Sequence, residues 1–140
     1  MRRSANGLPL AAQQGGSRWR PVIINFRHLF GAFRYSMDGL KRGWKEQAFR
    51  HETLILPVIA ILLFLIRPGM AWSAILAAAW LLLMALELLN SAIEEAFDMI
   101  SPEFNIHVKY GKDMASAAIF MGILANCVLW LCMLWDRFGL

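Results

Sequence analysis

The sequence predicts an all-α membrane protein in which three transmembrane helices follow an amphipathic helix that lies on the membrane surface. Of the 140 residues, 59% are apolar and only 17% are charged, and the mean hydropathy is +0.49. The apolar fraction is higher, and the charged fraction lower, than in ordinary soluble domains. A sequence of this length has little room for a separate catalytic domain, so we expect any chemistry to take place in the membrane domain.

The basic side chains concentrate in the N-terminal part of the chain. Residues 1–53 contain ten of the 14 Lys and Arg residues and three acids, whereas the remainder carries a net negative charge. Large apolar residues are interleaved with the basic ones, and no zinc-finger, RNP or helix-turn-helix pattern occurs. We therefore expect anionic membrane lipids, and not nucleic acid, to be the partner of this part.

Residues 1–20 are polar and are predicted to be a flexible tail, and residues 21–140 are predicted to form one membrane-embedded domain. Within that domain, apolar residues recur at steps of three and four from about residue 22 to residue 46. Basic side chains fill the remaining surface. This pattern predicts a helix that lies in the headgroup region of an anionic leaflet.

Three transmembrane helices are predicted at about residues 48–66, 70–100 and 112–135. The apolar run 54–66 is about 20 Å long as a helix, short of a hydrocarbon core of about 30 Å. Its helix must therefore begin near residue 48, which places Glu52 at the bilayer edge. The Arg67-Pro68-Gly69 segment predicts a tight turn before the next helix.

The distribution of Lys and Arg predicts the orientation of the helices. Outside the predicted spans, the N-terminal segment and the 98–113 connection contain twelve of these residues, and the opposite side contains only Arg67 and Arg137. The positive-inside rule then places the N-terminus in the cytoplasm and the C-terminus outside.

The second predicted span continues beyond its apolar part as a stripe of polar side chains on one helical face. At 100° per residue this face is about 100° wide, and it carries Glu87, Asn90, Ser91, Glu94 and Asp98. Glu95 lies at its margin, where we expect it to be solvated. Carboxylates within a membrane are costly and usually serve ion handling, proton handling or catalysis. A Mg²⁺ site, a proton pathway and an interhelical polar clamp are the alternatives.

A second polar cluster, Lys112 and Asp113, lies at the start of the third predicted span. These residues either anchor the helix at the interface or supply a phosphate-binding lysine and a further carboxylate. No Walker A, protein-kinase or Rossmann motif occurs. Any nucleotide chemistry would therefore need an unconventional site.

The combined motif resembles the bacterial integral-membrane diacylglycerol kinase family over about residues 27–138. The matching residues are Glu87-Leu-Leu-Asn90-Ser91-Ala-Ile-Glu94, then Asp98 and Lys112-Asp113, preceded by Ala48-Phe49-Arg50-His-Glu52. The resemblance implies a homotrimer in the bacterial inner membrane. It also implies transfer of phosphate from Mg-ATP to the hydroxyl of a lipid, diacylglycerol or, as a close alternative, undecaprenol.

The resemblance also implies roles for individual residues. Glu87 would be the general base, Glu52 and Glu94 the Mg²⁺ ligands, and Asn90 and Asp113 further catalytic residues. ATP would contact Lys112 and Asp98, and Tyr35 with Arg27 and His28 would lie beside the nucleotide. Ser116 would join Glu87 at the lipid substrate. The chain has Phe104-Asn105 where the family tends to have Tyr-His.

Two hypotheses from other classes accompany the kinase hypothesis. A small proton-coupled transporter or channel subunit would use Glu87 and Glu94 as a proton path, and it would need no ATP. A non-catalytic membrane interaction protein is the third hypothesis. Tight binding of Mg-ATP that depends on Glu52 and Glu94 would exclude it.

Overall fold

The computed structural model describes residues 26–139, with side chains from residue 30 onward. The described residues form four α-helices and no strand, as the sequence predicted for the fold class: α1 Phe26–Gly43, α2 Gln47–Ile66, α3 Met70–Ile100 and α4 Ile106–Phe138. The predicted tail, residues 1–20, lies outside the described residues. From Tyr35 onward the chain forms one compact unit, and the site described below lies within it.

The end of α1 and the following turn determine where α2 begins. Lys45 and Glu46 donate backbone N–H hydrogen bonds to the carbonyls of Arg42 and Gly43, at 2.9 Å each. Glu46 is extended and is the N-cap residue of α2. A Cβ atom on Gly43 would lie 2.3 Å from Leu88 Cδ2. Any side chain at position 43 would therefore require Leu88 to move, whereas glycine allows the end of α1 to lie against α3 as it is.

Helix α2 has 20 residues, about 30 Å, which is enough to cross a hydrocarbon core. It ends at Ile66 because Arg67 adopts the left-handed conformation, with φ 50°, and its N–H bonds to the carbonyl of Leu63. Gly69 then supplies a φ of 95° that other residues rarely adopt. The tight turn lies at Arg67-Pro68-Gly69, and α3 begins directly after it.

Helices α3 and α4 have 31 and 33 residues, about 46 and 50 Å, and each exceeds the thickness of the hydrocarbon core. Helix α4 begins at Ile106, ahead of the start near residue 112 that hydropathy suggests. The reason is local, because the Asn105 side chain caps the helix by accepting the N–H of His107 at 2.9 Å. The polar ends of both helices therefore extend beyond their apolar parts.

Helix α3 is the central element, packed extensively against α4 and less extensively against α2. The side chains buried between the helices include Phe49, Ile59, Leu76, Leu83, Met84 and Met133. Helices α2, α3 and α4 are each long and apolar enough to cross a membrane. Many large apolar side chains are exposed, among them Phe64 at 70% and Leu131 at 66%. Such a surface suits contact with lipid or with another copy of the chain.

The end of the bundle that carries the Arg67 turn, here called the far end, is held together by side-chain hydrogen bonds between helices. Trp72 Nε1 in α3 donates to Asp136 Oδ2 in α4 at 2.8 Å. Arg137 Nε donates to the carbonyl of Ile66 at the end of α2 at 3.2 Å. Three helices are thereby joined at this end.

Candidate active site

The polar stripe of α3 runs from a buried to an exposed environment. Glu87 and Asn90 are 7% and 8% exposed, Glu94 is half-buried, and the side chain of Asp98 is 67% exposed. Asn90 Nδ2 donates to Glu94 Oε1 at 2.9 Å, one helical turn away. The stripe therefore connects the interior of the bundle to water.

Helix α2 brings Glu52 to the buried end of this stripe. Its carboxylate lies within electrostatic range of the Glu87 carboxylate, and its backbone carbonyl accepts the indole N–H of Trp80 at 3.2 Å. Glu52 Oε2 and Asn90 Oδ1 are buried and make no hydrogen bond among the described residues. Buried polar atoms usually have partners. These two oxygens are therefore suited to accept a hydrogen-bond donor or a cation.

Glu46 is a third carboxylate near Glu87, and the sequence pattern did not indicate it. It lies within electrostatic range of Glu87. It also lines a cavity of about 500 Å³ together with residues of α1 and α3, including Ser91 and Glu95. The signal in the sequence was weak, because an acid directly before a helix is explained by the helix dipole alone. Only the docking of the α1–α2 turn on α3 shows that Glu46 belongs to the cluster.

The position of Glu95 at the margin of the stripe predicted a side chain that is simply solvated, but the structure pairs it with Arg42. Nη2 of Arg42 lies 3.1 Å from both Oε1 and Oε2 of Glu95. Because the two residues are 53 positions apart in the chain, helical periodicity could not reveal this ion pair. It connects the last turn of α1 to α3 beside the cavity that Glu46 lines.

The second polar cluster lies where α3 ends and α4 begins. Lys112 Nζ forms an ion pair with Asp98, and Lys109 Nζ bonds to Asp113 Oδ2 at 2.8 Å. These four side chains and the connecting loop line a cleft of about 330 Å³. The two ammonium groups of this cleft could bind phosphate oxygens only by sharing or leaving their present carboxylate partners.

The other residues that the resemblance selected lie away from these contacts. Tyr35 is 77% exposed and Ser116 is exposed, and neither lines the two cavities. By contrast, Phe104 and Asn105 line the cleft of the second cluster. Phe104 is 84% exposed, and the side chain of Asn105 caps α4. The side chains of Arg27 and His28 lie outside the described residues. The structure thus brings together Glu52, Glu87, Asn90 and Glu94, and separately pairs Lys112 with Asp98.

Comparison with known proteins identifies the family. The prokaryotic diacylglycerol kinase family matches residues 34–134, which contain both polar clusters. The chain belongs to that family. The kinase resemblance drawn from the sequence motif is thereby confirmed, and membership of an enzyme family favours a lipid kinase over the transporter and interaction-protein hypotheses.

Individual members of the family match most of the chain. A diacylglycerol kinase of Sinorhizobium is 40% identical over 102 residues, which cover 73% of this chain and 74% of the relative. That of Helicobacter pylori is 36% identical over 112 residues, covering 79% and 87%. That of Escherichia coli K12 is 32% identical over 115 residues, covering 81% and 94%. The similarity therefore extends over nearly the whole membrane domain.

The carboxylates of this family member fit a metal ion that is bound together with phosphate. Among residues 30–139, no three His, Cys, Asp or Glu side chains lie close enough together to enclose a metal ion. Mg²⁺ commonly takes only one or two carboxylates and completes its shell with water and phosphate oxygens. The buried Glu52 Oε2, which has no hydrogen-bond partner among the described residues, and the half-buried Glu94 are each a carboxylate of the kind that such an ion takes.

Proposed function

We propose that the protein transfers the γ-phosphate of ATP to the free hydroxyl of diacylglycerol, producing phosphatidic acid and ADP. The observation that carries the proposal is the buried Glu87 carboxylate, 7% exposed, at the membrane end of a stripe of polar groups that reaches water. A lipid hydroxyl approaches from the hydrocarbon, and a nucleotide approaches from the aqueous end. The polar stripe is therefore accessible to both the lipid hydroxyl and the nucleotide.

Glu87 acts as the general base in this proposal. Its carboxylate accepts the proton of the lipid hydroxyl while the hydroxyl oxygen forms a bond to the γ-phosphorus. The bond between that phosphorus and the bridging oxygen of ATP breaks, and ADP leaves. Glu87 lies seven residues before Glu94 on α3, roughly 10 Å along the helix axis. This separation supports a base that faces the lipid and a carboxylate that faces the nucleotide.

Glu94 and Glu52 hold Mg²⁺ in this proposal, and Glu46 is a further carboxylate in range. The metal ion, when bound, neutralises the charge of the phosphates and orients them for in-line transfer. Asn90 holds Glu94 in place through the bond from Nδ2. Ligand carboxylates are usually fixed by such neighbours.

Lys112 binds the ATP phosphates in this proposal, and Asp98 holds the lysine in position through their ion pair. Asp113 completes the polar rim of the same cleft. We assign Tyr35, Arg27 and His28 to the nucleotide side and Ser116 to the lipid side, following their positions in the family motif. Tyr35 and Ser116 line neither cavity of a single chain, so another subunit would bring them to the site.

The proposal places the protein in the bacterial inner membrane, with the N-terminus in the cytoplasm and the C-terminus outside. The excess of Lys and Arg in residues 1–53 supports this orientation. Helix α1 then lies on the cytoplasmic leaflet. Its apolar residues Phe30 and Phe33 are 75% and 63% exposed, which suits insertion among anionic lipids.

A homotrimer completes the site in this proposal. Asp98 and Asp113 are 67% and 59% exposed, so one chain leaves the aqueous end of the site open. Large exposed apolar side chains on α2 and α4 provide surface for contacts between subunits. Chemical crosslinking of active protein in lipid is expected to give trimers. A preparation that is active and entirely monomeric would contradict this arrangement.

The decisive experiment measures phosphate transfer from Mg-ATP by the purified protein to two lipids in parallel, a short-chain diacylglycerol and undecaprenol. Glu87→Gln and Glu94→Gln are compared with the wild type, and Asp136→Asn at the far end is the matched control. We expect transfer to diacylglycerol, its near-complete loss in both glutamine variants, and its retention in the control.

The outcomes separate the hypotheses. Full activity in both glutamine variants would exclude this site. Faster transfer to undecaprenol would keep the mechanism and change the substrate. Proton flux into liposomes without hydrolysis of ATP would favour the transporter hypothesis.

A further inference from the structure

We infer that Arg42 and Glu95 act as positioning residues that determine how tightly the acidic site binds a divalent cation. This inference rests on the proposed function, because it takes the carboxylates near Glu87 to be the cation site. Neither residue belongs to the motif that identified the family. The ion pair between them joins the last turn of α1 to α3, beside the packing of Gly43 on Leu88.

The pair is placed where it can control the separation of the carboxylates. On α3, Glu95 directly follows Glu94, a proposed ligand. On the other side, Arg42 lies four residues before Glu46, and α2 with Glu52 continues from there. Any change in the distance between Arg42 and Glu95 therefore moves two carboxylates of the start of α2 relative to Glu94.

The connection between Arg42 and Glu46 is stiff. The carbonyl of Arg42 accepts the N–H of Lys45, and that of Gly43 accepts the N–H of Glu46, both at 2.9 Å. Gly43 also packs directly on Leu88 and Phe49, because a Cβ there would lie 2.3 Å and 3.3 Å from their side chains. A force on the guanidinium is thus transmitted to Glu46 through one tight turn.

The geometry of the pair supports positioning more than stability. Nη2 of Arg42 lies 3.1 Å from both oxygens of Glu95, which fixes the direction of the contact. The side chains are 56% and 62% exposed, and exposed ion pairs add little to the stability of a fold. The carboxylates of Glu46 and Glu94 each repel the carboxylate of Glu87. A contact that holds their helices together without a cation pre-organises the site for one.

The experiment measures binding of Mn²⁺, as a paramagnetic substitute for Mg²⁺, to the full chain in lipid nanodiscs by electron paramagnetic resonance, in the presence of a non-hydrolysable ATP analogue that supplies the phosphate oxygens. The variants are Arg42→Ala, Glu95→Ala and the charge exchange Arg42→Glu with Glu95→Arg. Lys41→Ala is the matched control, since it removes the exposed Lys41–Asp38 pair of the same helical turn without affecting α3. Glu94→Gln reports on the site itself, and thermal unfolding is recorded for every variant.

We expect each alanine variant to weaken Mn²⁺ binding by about three- to fivefold, the factor that corresponds to one partly exposed ion pair, with little change in the unfolding temperature. The charge exchange should restore most of the affinity, and Lys41→Ala should leave it unchanged. Wild-type affinity in the alanine variants would overturn the inference, and so would an equal loss in Lys41→Ala or a loss that charge exchange does not reverse.

The design distinguishes failure of this inference from failure of the proposed function. If Glu94→Gln loses Mn²⁺ binding while Arg42→Ala retains it, the acidic site is supported and the positioning role of Arg42 is excluded. If the wild type binds no Mn²⁺, or Glu94→Gln binds it normally, both the proposed site and this inference are excluded.

Discussion

The two ends of the helix bundle use polar residues in opposite ways. At the far end, Trp72 donates to Asp136 and Arg137 donates to the carbonyl of Ile66. Each of these contacts joins a donor in one helix to an acceptor in another. At the acidic end, Glu52, Glu87 and Glu94 bring like charges together. The buried atoms Glu52 Oε2 and Asn90 Oδ1 have no hydrogen-bond partner among the described residues.

The difference indicates which end is built for stability and which for a ligand. Hydrogen bonds between helices lower the free energy of the folded protein, each by roughly 1 kcal/mol. Clustered carboxylates raise it unless a cation or a proton is bound. The acidic end therefore has the properties expected of a binding site, and substitutions at the two ends should have different consequences.

The largest effect is expected for Glu87→Gln at the acidic end. Loss of a general base should lower kcat by about a hundredfold or more, and the variant should remain folded because it removes a repulsive charge. Phosphate transfer to short-chain diacylglycerol and thermal unfolding followed by circular dichroism test the two parts. A variant that unfolds more readily and keeps its kcat would reverse the roles assigned to the two ends.

A smaller effect is expected for Asn90→Ala, which removes the group that orients Glu94. Loss of a residue that holds a ligand in place typically lowers metal affinity by about ten- to a hundredfold. We expect the apparent affinity for Mg²⁺, measured from the dependence of the rate on Mg²⁺ concentration, to fall within that range. The rate at saturating Mg²⁺ should change less. Unchanged Mg²⁺ dependence would remove Asn90 from the site.

The two hydrogen-bonded tryptophans of α3 offer a matched comparison. Trp80→Phe removes the bond to the Glu52 carbonyl, and Trp72→Phe removes the bond to Asp136. Each should destabilise the protein by about 1 kcal/mol. Only Trp80→Phe should also reduce activity, by a few-fold, because it loosens the segment that carries Glu52. Equal activity of the two folded variants would show that the acidic end tolerates this movement.

The smallest effect on activity is expected for Asp136→Asn at the far end. It weakens the acceptor of the Trp72 indole N–H, so the unfolding temperature should fall slightly. The specific activity of the folded protein should remain that of the wild type, since Asp136 lies on the opposite side of the membrane domain from Glu87. Loss of kcat without loss of stability would mean that the far end takes part in the reaction.

Much of the fold followed from local properties of the sequence. The lengths of the apolar segments indicated three membrane-crossing helices, and the spacing of Glu87, Asn90 and Glu94 placed them on one face of a helix. Both conclusions depend only on the rise and rotation per residue of an α-helix. The early start of α4 departed from hydropathy, because the Asn105 cap extends the helix into a polar segment.

The roles of Glu46, Arg42 and Glu95 could not be derived in the same way. Glu46 belongs to the acidic end because the end of α1 docks on α3, where Gly43 lies against Leu88. The Arg42–Glu95 pair joins residues 53 positions apart, and helical periodicity carries no information over that separation. Contacts of this kind depend on how the helices pack, which the sequence pattern of one helix does not contain.

By itself, the sequence determined the class of fold, the polar face of α3 and the family motif, since each is written in the order of neighbouring residues. Tertiary structure decided which charges meet: Glu52 with Glu87, Lys112 with Asp98 and Arg42 with Glu95. The physical reason is the sequence separation over which each interaction acts. Helix formation depends on residues a few positions apart, whereas the electrostatic partners depend on the packing of helices that are distant in the chain.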